Sequence, residues 1–333
     1  MTERLRRQTA RAAAAAVLLL AAACSGGGRF HGERLLMGTR FAIEVDGVGA
    51  AEAEEAIGAA FDEVARVERP LSEWREDSEI SALNRAAGDG PVAVGRELLD
   101  VLSRARQISE LTGGAFDVTF AACGSLWSIP ERRIPTESQL AACRPHVGWR
   151  KLLIDAAKGT AVLSERGMRA GIAGIAKGYG IDRAAEVLEA HGISSYFVDG
   201  GGDIRLRSSP GRRPWRVGIA HPRRPGKLLG TIELRQGAVV TSGDYLQYFV
   251  RDGVRYHHIL DPRTGRVARA SVAVTVIARD AMTADALATG LFVMGPERGL
   301  DLVESLPDVE ALFVAPDLSV HASSGFPELE SGG

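Results

Sequence analysis

The chain has 333 residues, 40 basic and 42 acidic side chains, and a formal net charge of −2 at pH 7. The charges are interspersed, which argues against a basic nucleic-acid-binding stripe and against a disordered acidic tail, so we expect no nucleic-acid partner. Beyond its apolar start, no stretch of the chain is apolar enough to span a bilayer. The length suits one large domain or two moderate ones.

The first residues have the features of a secretory signal. Four arginines within the first eleven residues precede an apolar run over 12–23, and Cys24 follows at once. A signal that ends on a cysteine resembles the lipobox of bacterial lipoproteins, in which the cysteine is acylated and becomes the new N-terminus. The alternative is an ordinary cleaved signal that happens to contain a cysteine. We expect a lipoprotein signal peptide over 1–23, a flexible tether over 24–32 and a folded domain over 33–325. Acylated Cys24 would anchor that domain to the lipid bilayer of a bacterial membrane, facing the periplasm.

The first half of the chain predicts short strands and two helices. Apolar side chains recur at helical spacing over 50–69, where Pro70 limits the helix, and over 98–111. The other expected elements are a strand over 35–45 interrupted at Met-Gly-Thr, a polar loop containing Trp74, an irregular segment over 123–145, and a hairpin of 152–154 with 161–163.

The second half is richer in strands. A helix over 181–191 continues from a glycine-rich segment at 171–180, and another helix covers 282–294. We therefore predict a mixed α/β chain of the α+β type, with antiparallel-rich sheets packed against helices. The expected strands are 196–198, 215–219, 228–234, 238–241, 245–250, 272–277, 311–314 and 318–321.

Two cysteines remain after Cys24. Cys123 and Cys143 lack the spacing of a zinc ligand pair. In an oxidising compartment they can form one disulfide, and two separately buried thiols are the alternative.

A carboxylate and a hydroxyl are spaced to share one helix face. Asp285 and Thr289 are four residues apart in the predicted helix 282–294, so both oxygens can point at one hard cation. Such donors suit Mg²⁺. The alternative is that Asp285 only interacts with the positive end of the helix dipole.

Two further segments carry polar groups suited to chemistry. Residues 171–180 hold four glycines and Lys177, which can supply a positive charge for phosphate. They match neither the Walker nor the dinucleotide-binding pattern, and a glycine-rich turn before a helix is the alternative. His257, His258 and Asp261 lie close together, and a histidine titrates near neutral pH and can act as a base. Solvent-facing histidines at a strand end are the alternative.

Taken together, these segments resemble the ApbE family of FAD:protein FMN transferases. Each motif is modest alone, but the ordered set is specific, and the resemblance runs from about Met37 to about Val314. The motifs lie at 37–39, 71–84, 112–119, 174–179, 199–203, 241–245, 258–265 and 285–289.

The resemblance implies an ApbE-like fold, a reaction and a set of site residues. Such enzymes bind FAD with Mg²⁺, transfer FMN to a threonine or serine hydroxyl of an acceptor protein, and release AMP. An FAD pyrophosphatase and a non-catalytic FAD-binding lipoprotein are the alternatives. The implied metal ligands are the carbonyl of Gly174 and the side chains of Asp285 and Thr289; the implied base is His258, aided by Asp261; the implied FAD contacts are Met37, Trp74, Ala115, Phe116, Asp117, Lys177 and Ile259.

The chain departs from the family pattern at one FAD-contact position. Many relatives have an acidic residue three places before the metal-binding carbonyl, where this chain has Gly171. Because a carboxylate is lost there, we expect FAD to bind more weakly or in a different pose.

Overall fold

The computed structural model describes residues 28–330. The signal peptide predicted over 1–23 and the acylated Cys24 lie outside the described residues. Among those described, no helix has both the length and the hydropathy that crossing a membrane requires.

Eight helices and seventeen strands make up the described chain. The helices are α1 Ala50–Leu71, α2 Glu79–Arg85, α3 Arg96–Leu111, α4 Ala121–Gly124, α5 Glu137–Cys143, α6 Ala173–Ala190, α7 Ala281–Met294 and α8 Pro296–Glu304. The strands are β1 Gly28–Leu36, β2 Thr39–Val48, β3 Val92–Ala93, β4 Leu152–Asp155, β5 Thr160–Leu163, β6 Tyr196–Gly200, β7 Asp203–Arg207, β8 Trp215–Ala220, β9 Leu228–Leu234, β10 Gln236–Gly243, β11 Tyr248–Arg251, β12 Val254–His257, β13 Leu260–Asp261, β14 Arg266–Val267, β15 Ala273–Ala278, β16 Glu310–Val314 and β17 Val320–Ala322.

An eight-stranded antiparallel sheet forms the centre of the fold. Its strand order is β1-β2-β6-β7-β10-β15-β16-β17. Successive side chains of a strand point to opposite faces. On β10, Val240 packs with the helices, whereas its neighbour Val239 packs with the β8–β9 hairpin on the other face. Both faces are therefore covered, which explains why every residue of β15 is buried. The predicted class, antiparallel sheets packed against helices, is confirmed.

Helices α6 and α7 pack closely on the helical face of this sheet. A Cβ on Gly178 would lie 2.3 Å from the carbonyl oxygen of Ala281, so only glycine permits this separation of the two helices. Asp182 of α6 also caps α7, because its carboxylate accepts hydrogen bonds of 2.8 Å from the N–H groups of both Ala281 and Met282. Burial raises the pKa of Asp182 to about 6, although Arg205 lies 2.6 Å away and opposes the shift.

The structure corrects the predicted boundaries at the start of the domain. Residues 28–32 belong to β1 and pair with β2, so this part of the expected tether 24–32 is sheet, and the fold begins before residue 33. The single strand expected over 35–45 is a hairpin, which turns at Met37 and Gly38 with φ angles of 49° and 73°.

Three further boundaries differ from the prediction. Helix α1 continues through Pro70 to Leu71, two residues beyond the predicted end. The glycine-rich segment 171–180 is mostly helix, because α6 begins at Ala173. The segment 123–145, predicted to be irregular, contains α5, whose first turn is stabilised by a Thr136–Gln139 capping box.

Cys123 and Cys143 form a disulfide, with their Cα atoms 5.2 Å apart. The alternative of two separate thiols is therefore wrong. The bond joins α4 to the end of α5, and Gly265 packs against it: a Cβ on Gly265 would lie 3.3 Å from Cys123 Sγ.

Two glycine-to-alanine substitutions, one at the α6–α7 contact and one control in α1, test this close packing. Gly178→Ala should lower the free energy of unfolding by about 3 kcal/mol, since the new methyl group collides with backbone. Gly58→Ala in α1, where nothing lies within 4 Å, should instead raise it by about 0.5 to 1 kcal/mol. Urea unfolding measures both, and a neutral Gly178→Ala variant would contradict the close packing.

Candidate active site

The three predicted metal ligands meet at the start of α6 and on α7. Gly174 has φ −85° and ψ 18°, so the helix is kinked there. A Cβ on Gly174 would lie 3.2 Å from Thr289 Oγ1, which puts the glycine and the threonine in contact. The N–H of Gly178, which in a regular helix donates to the carbonyl of Gly174, donates to Asp285 Oδ2 at 3.1 Å. Gly174 thus lies beside Thr289, and the next turn of α6 is hydrogen-bonded to Asp285.

Asp285 is a buried carboxylate in an electrostatically unfavourable position. Its side chain is only 5% exposed. Burial, and then the negative charge of Asp203, raise the pKa of Asp285 from 3.8 to about 7, while Lys177 opposes the shift. A group with this pKa is stabilised in its charged form by any additional cation placed beside it.

Lys177 is fixed beside the predicted metal ligands by an acid that the sequence did not single out as a site residue. Its Nζ lies 2.6 Å from Oδ2 of the buried Asp203, at the start of β7. Burial alone would lower the pKa of Lys177, but Asp203 and Asp285 raise it above its ordinary value. The ammonium group therefore stays charged, and the polar turn at 199–203 in the sequence was the signal for its partner.

The residues predicted to contact FAD come from several parts of the fold. Met37, at the β1–β2 turn, lies against α6, since a Cβ on Gly180 would be 2.5 Å from its Sδ. Ala115 and Phe116 follow α3 and are buried. The Phe116 ring lies close to Gly174, since a Cβ on Gly174 would be 3.6 Å from Phe116 Cε2. Ile259 is buried as well.

Asp117 is held by its own loop. Its Oδ1 accepts hydrogen bonds from the N–H and hydroxyl of Thr119 at 2.8 and 2.6 Å, and its Oδ2 accepts one from the N–H of Trp149 at 2.8 Å. Burial raises the pKa of Asp117, and these bonds oppose the shift. The carboxylate therefore fixes the loop that carries Ala115 and Phe116.

Trp74 is the most exposed aromatic side chain near the site, at 96%. It follows α1 in a loop. A flat, solvent-facing indole provides a surface on which a planar ring can stack.

The two adjacent histidines have different environments. His257 is buried; its Nε2 donates to the carbonyl of Ala268 at 2.9 Å and its Nδ1 accepts from the N–H of Ile259 at 3.3 Å. Burial lowers the pKa of His257 to about 4, so it is a neutral structural group. His258 Nδ1 lies 3.4 Å from the carbonyl of Gln247, which assigns the proton to Nδ1 and leaves Nε2 as an acceptor.

His258 lies within electrostatic reach of Lys177. Desolvation by the surrounding protein lowers the pKa of His258; the Gln247 carbonyl opposes this and the Lys177 ammonium adds to it. The lowered pKa favours the neutral imidazole, the form that a base requires.

The structure does not support the expected assistance from Asp261. Its Oδ1 accepts bonds from the N–H and Nε of Arg263, both at 2.9 Å, and its Oδ2 accepts one from Nη2 at 2.8 Å. Within residues 28–330 no hydrogen bond joins Asp261 to His258. The arginine two residues along neutralises this carboxylate, so its role is to fix the 261–265 turn.

Gly171 has a carboxylate as its neighbour. A Cβ on Gly171 would lie 3.0 Å from Oε2 of Glu73, which comes from the loop after α1. Burial raises the pKa of Glu73, and hydrogen bonds from the N–H groups of Ile172 and Ala173 oppose the shift. Sequence reasoning did not single out Glu73.

Comparisons with known proteins match most of the chain. The model of the ApbE family matches residues 37–313. The FAD:protein FMN transferase of Treponema pallidum (strain Nichols) is 39% identical over 294 residues, which cover 83% of this chain and 81% of that protein. The FAD:protein FMN transferase of Vibrio cholerae serotype O1 is 39% identical over 265 residues, 77% of this chain and 79% of that protein.

Solved structures give the same result. The ApbE protein from Thermotoga maritima superposes with a TM-score of 0.82 at 33% identity, covering 89% of this chain and 97% of that one. The flavin transferase ApbE from Vibrio cholerae gives a TM-score of 0.81 at 35% identity, covering 90% and 98%. The fold is therefore that of the solved flavin transferases. The chain belongs to the ApbE family.

The raised pKa of Asp285 gives the metal-free protein a specific pH dependence. The folded state binds this proton more tightly than the unfolded state, so the contribution of Asp285 to stability falls as pH rises from about 4 to about 7. Asp285→Asn keeps an acceptor for the Gly178 N–H but does not titrate.

Urea unfolding in EDTA should therefore show the wild type losing stability relative to Asp285→Asn over this range. Other titrating groups are common to both proteins and cancel in the difference. Parallel pH profiles would contradict the burial of an unneutralised carboxylate.

Proposed function

We propose that the protein transfers FMN from FAD to a threonine or serine hydroxyl of an acceptor protein, with Mg²⁺, and releases AMP. The observation that carries this proposal is the meeting of Gly174, Asp285 and Thr289 beside Lys177, in a chain of the ApbE family. FAD is then the substrate and the acceptor a second protein.

The donor set fits Mg²⁺. A carbonyl, a carboxylate and a hydroxyl are hard oxygen ligands, and Mg²⁺ completes its shell with phosphate oxygens or water. Gly174 has no side chain that would crowd Thr289 Oγ1, and Ser242 Oγ lies 3.4 Å from the same hydroxyl. The buried charge of Asp285 supplies the electrostatic preference for a cation. When bound, Mg²⁺ would neutralise charge on the pyrophosphate of FAD.

The chain supplies the remaining groups of a phosphoryl transfer. Lys177, oriented by Asp203, offers a second positive charge to the phosphates. His258 Nε2 accepts the proton of the acceptor hydroxyl as that oxygen bonds to the phosphorus of the FMN half. The bond from this phosphorus to the bridging oxygen breaks, and AMP leaves with that oxygen.

The flavin side of the site combines apolar walls with an exposed ring. Phe116 extends towards Gly174, while Met37 packs on α6, and both shape the apolar side. The exposed indole of Trp74 is available to stack on a planar ring of the dinucleotide.

An exported, lipid-anchored location on the periplasmic side fits this function. The proposal rests on the arginine-rich start, the apolar run 12–23 and Cys24. The Cys123–Cys143 disulfide agrees with it, since disulfides persist in oxidising compartments.

An acceptor assay tests the proposed reaction. The mature protein is incubated with FAD, Mg²⁺ and a candidate acceptor, and the acceptor is weighed by mass spectrometry. A gain equal to one FMN moiety, with AMP appearing in equal amount, is expected. FMN and AMP without acceptor modification would indicate a pyrophosphatase, and intact FAD a binding protein; both would contradict the transfer.

Substitutions of two threonines of α7, one a proposed metal ligand and the other a control, test the metal assignment in this assay. Thr289→Val removes the proposed ligand and should lower turnover at least tenfold and raise the Mg²⁺ concentration for half-maximal rate. Thr283→Val is the control, because the buried Thr283 hydroxyl has no hydrogen-bond partner among the described residues. Equal activity of the two variants would remove Thr289 from the site.

Substitution of His258 should affect activity, whereas substitution of the adjacent His257 should affect stability. His258→Asn should lower kcat by about 10²-fold or more and leave the unfolding midpoint unchanged. His257→Asn should lower the midpoint, because buried hydrogen bonds to Ala268 and Ile259 are disturbed. Full turnover in His258→Asn would dismiss it as the base.

A further inference from the structure

Glu73 places a half-buried carboxylate at the start of α6. Its Oε1 accepts two hydrogen bonds, from the N–H of Ile172 at 2.6 Å and from the N–H of Ala173 at 2.9 Å. These are among the N–H groups that a helix start leaves without intrahelical partners. One oxygen of Glu73 is therefore fully occupied in capping α6.

The second oxygen of Glu73 has a different environment. Oε2 accepts no hydrogen bond from any residue between 28 and 330. It lies 3.0 Å from the position of a Cβ on Gly171, and the other neighbours of that position are apolar: Ala121 Cβ at 2.9 Å and Phe120 Cε1 at 3.5 Å. A carboxylate oxygen thus lies next to the position that the first side-chain atom of residue 171 would occupy.

This oxygen belongs to the surroundings of the proposed site. Gly171 is three residues before Gly174, and its N–H donates to the carbonyl of Val118 at 2.7 Å, in the loop that follows Phe116. Trp74 is the next residue after Glu73, and its indole is exposed. The carboxylate therefore contacts the segment just before the predicted metal ligand Gly174, and the next residue along the chain carries the exposed ring.

We propose that Glu73 is a substrate-binding residue whose Oε2 accepts a hydrogen bond from a hydroxyl or amino group of FAD. It supplies, from another part of the chain, the acceptor that Gly171 lacks. The inference rests on the proposed function, since FAD is taken as the ligand. It replaces the expectation that Gly171 weakens or displaces FAD.

Glu73→Gln separates this role from capping. The two backbone N–H groups hold the amide oxygen in the place of Oε1, so an amide nitrogen replaces Oε2 and a donor replaces the acceptor. FAD, titrated with Mg²⁺ and without acceptor protein, should bind about tenfold more weakly, as loss of a hydrogen bond to a charged group implies. Glu76→Gln, an exposed change in the same loop, is the control.

The same titration with AMP and with FMN identifies the half of FAD that Glu73 contacts. Affinity should fall for one of the two and stay constant for the other, with an unchanged unfolding midpoint. Equal losses for both, accompanied by a lower midpoint, would reduce Glu73 to a structural cap. Wild-type affinity for FAD in Glu73→Gln would overturn this inference alone, whereas a wild-type protein that binds no FAD would overturn the proposed function as well.

Discussion

The site depends on how closely α6 approaches α7. Gly178 permits contact with the backbone at Ala281, and Asp182 ties the first N–H groups of α7 to α6. These contacts fix α6 against the start of α7, and hence Gly174 and Gly178 against Thr289 and Asp285. A core packed at this density does not deform continuously, so the oxygens are preorganised before any ligand arrives.

The same packing creates an excess of buried negative charge. Asp285 and Asp203 share one cation, Lys177, and burial raises the pKa of both acids. Placing unneutralised carboxylates in the interior is unfavourable for folding. Under the proposed function, a divalent ion bound beside Asp285 would relieve this unfavourable free energy, and the relief would add to the affinity for the ion.

Local sequence patterns predicted much of the fold. The features that they did not predict depend on contacts with other parts of the chain. The i, i+4 spacing of Asp285 and Thr289 placed them on one face of a helix that the structure confirms as α7. One strand was predicted where β1 and β2 form a hairpin, because the segment with which a strand pairs cannot be identified from that strand's own sequence. The ion pair of Asp261 with Arg263 was not predicted, although the two residues are only two positions apart. The Glu73 contact joins residues 99 positions apart, and no local signal exists for it.

Diffraction from crystals grown with FAD and Mn²⁺, as an anomalous substitute for Mg²⁺, tests the central arrangement most directly. We expect an anomalous peak bonded to the Gly174 carbonyl, the Asp285 carboxylate and the Thr289 hydroxyl, with FAD phosphate oxygens completing its shell. A peak bound elsewhere, or FAD seated with its phosphates away from α7, would contradict it.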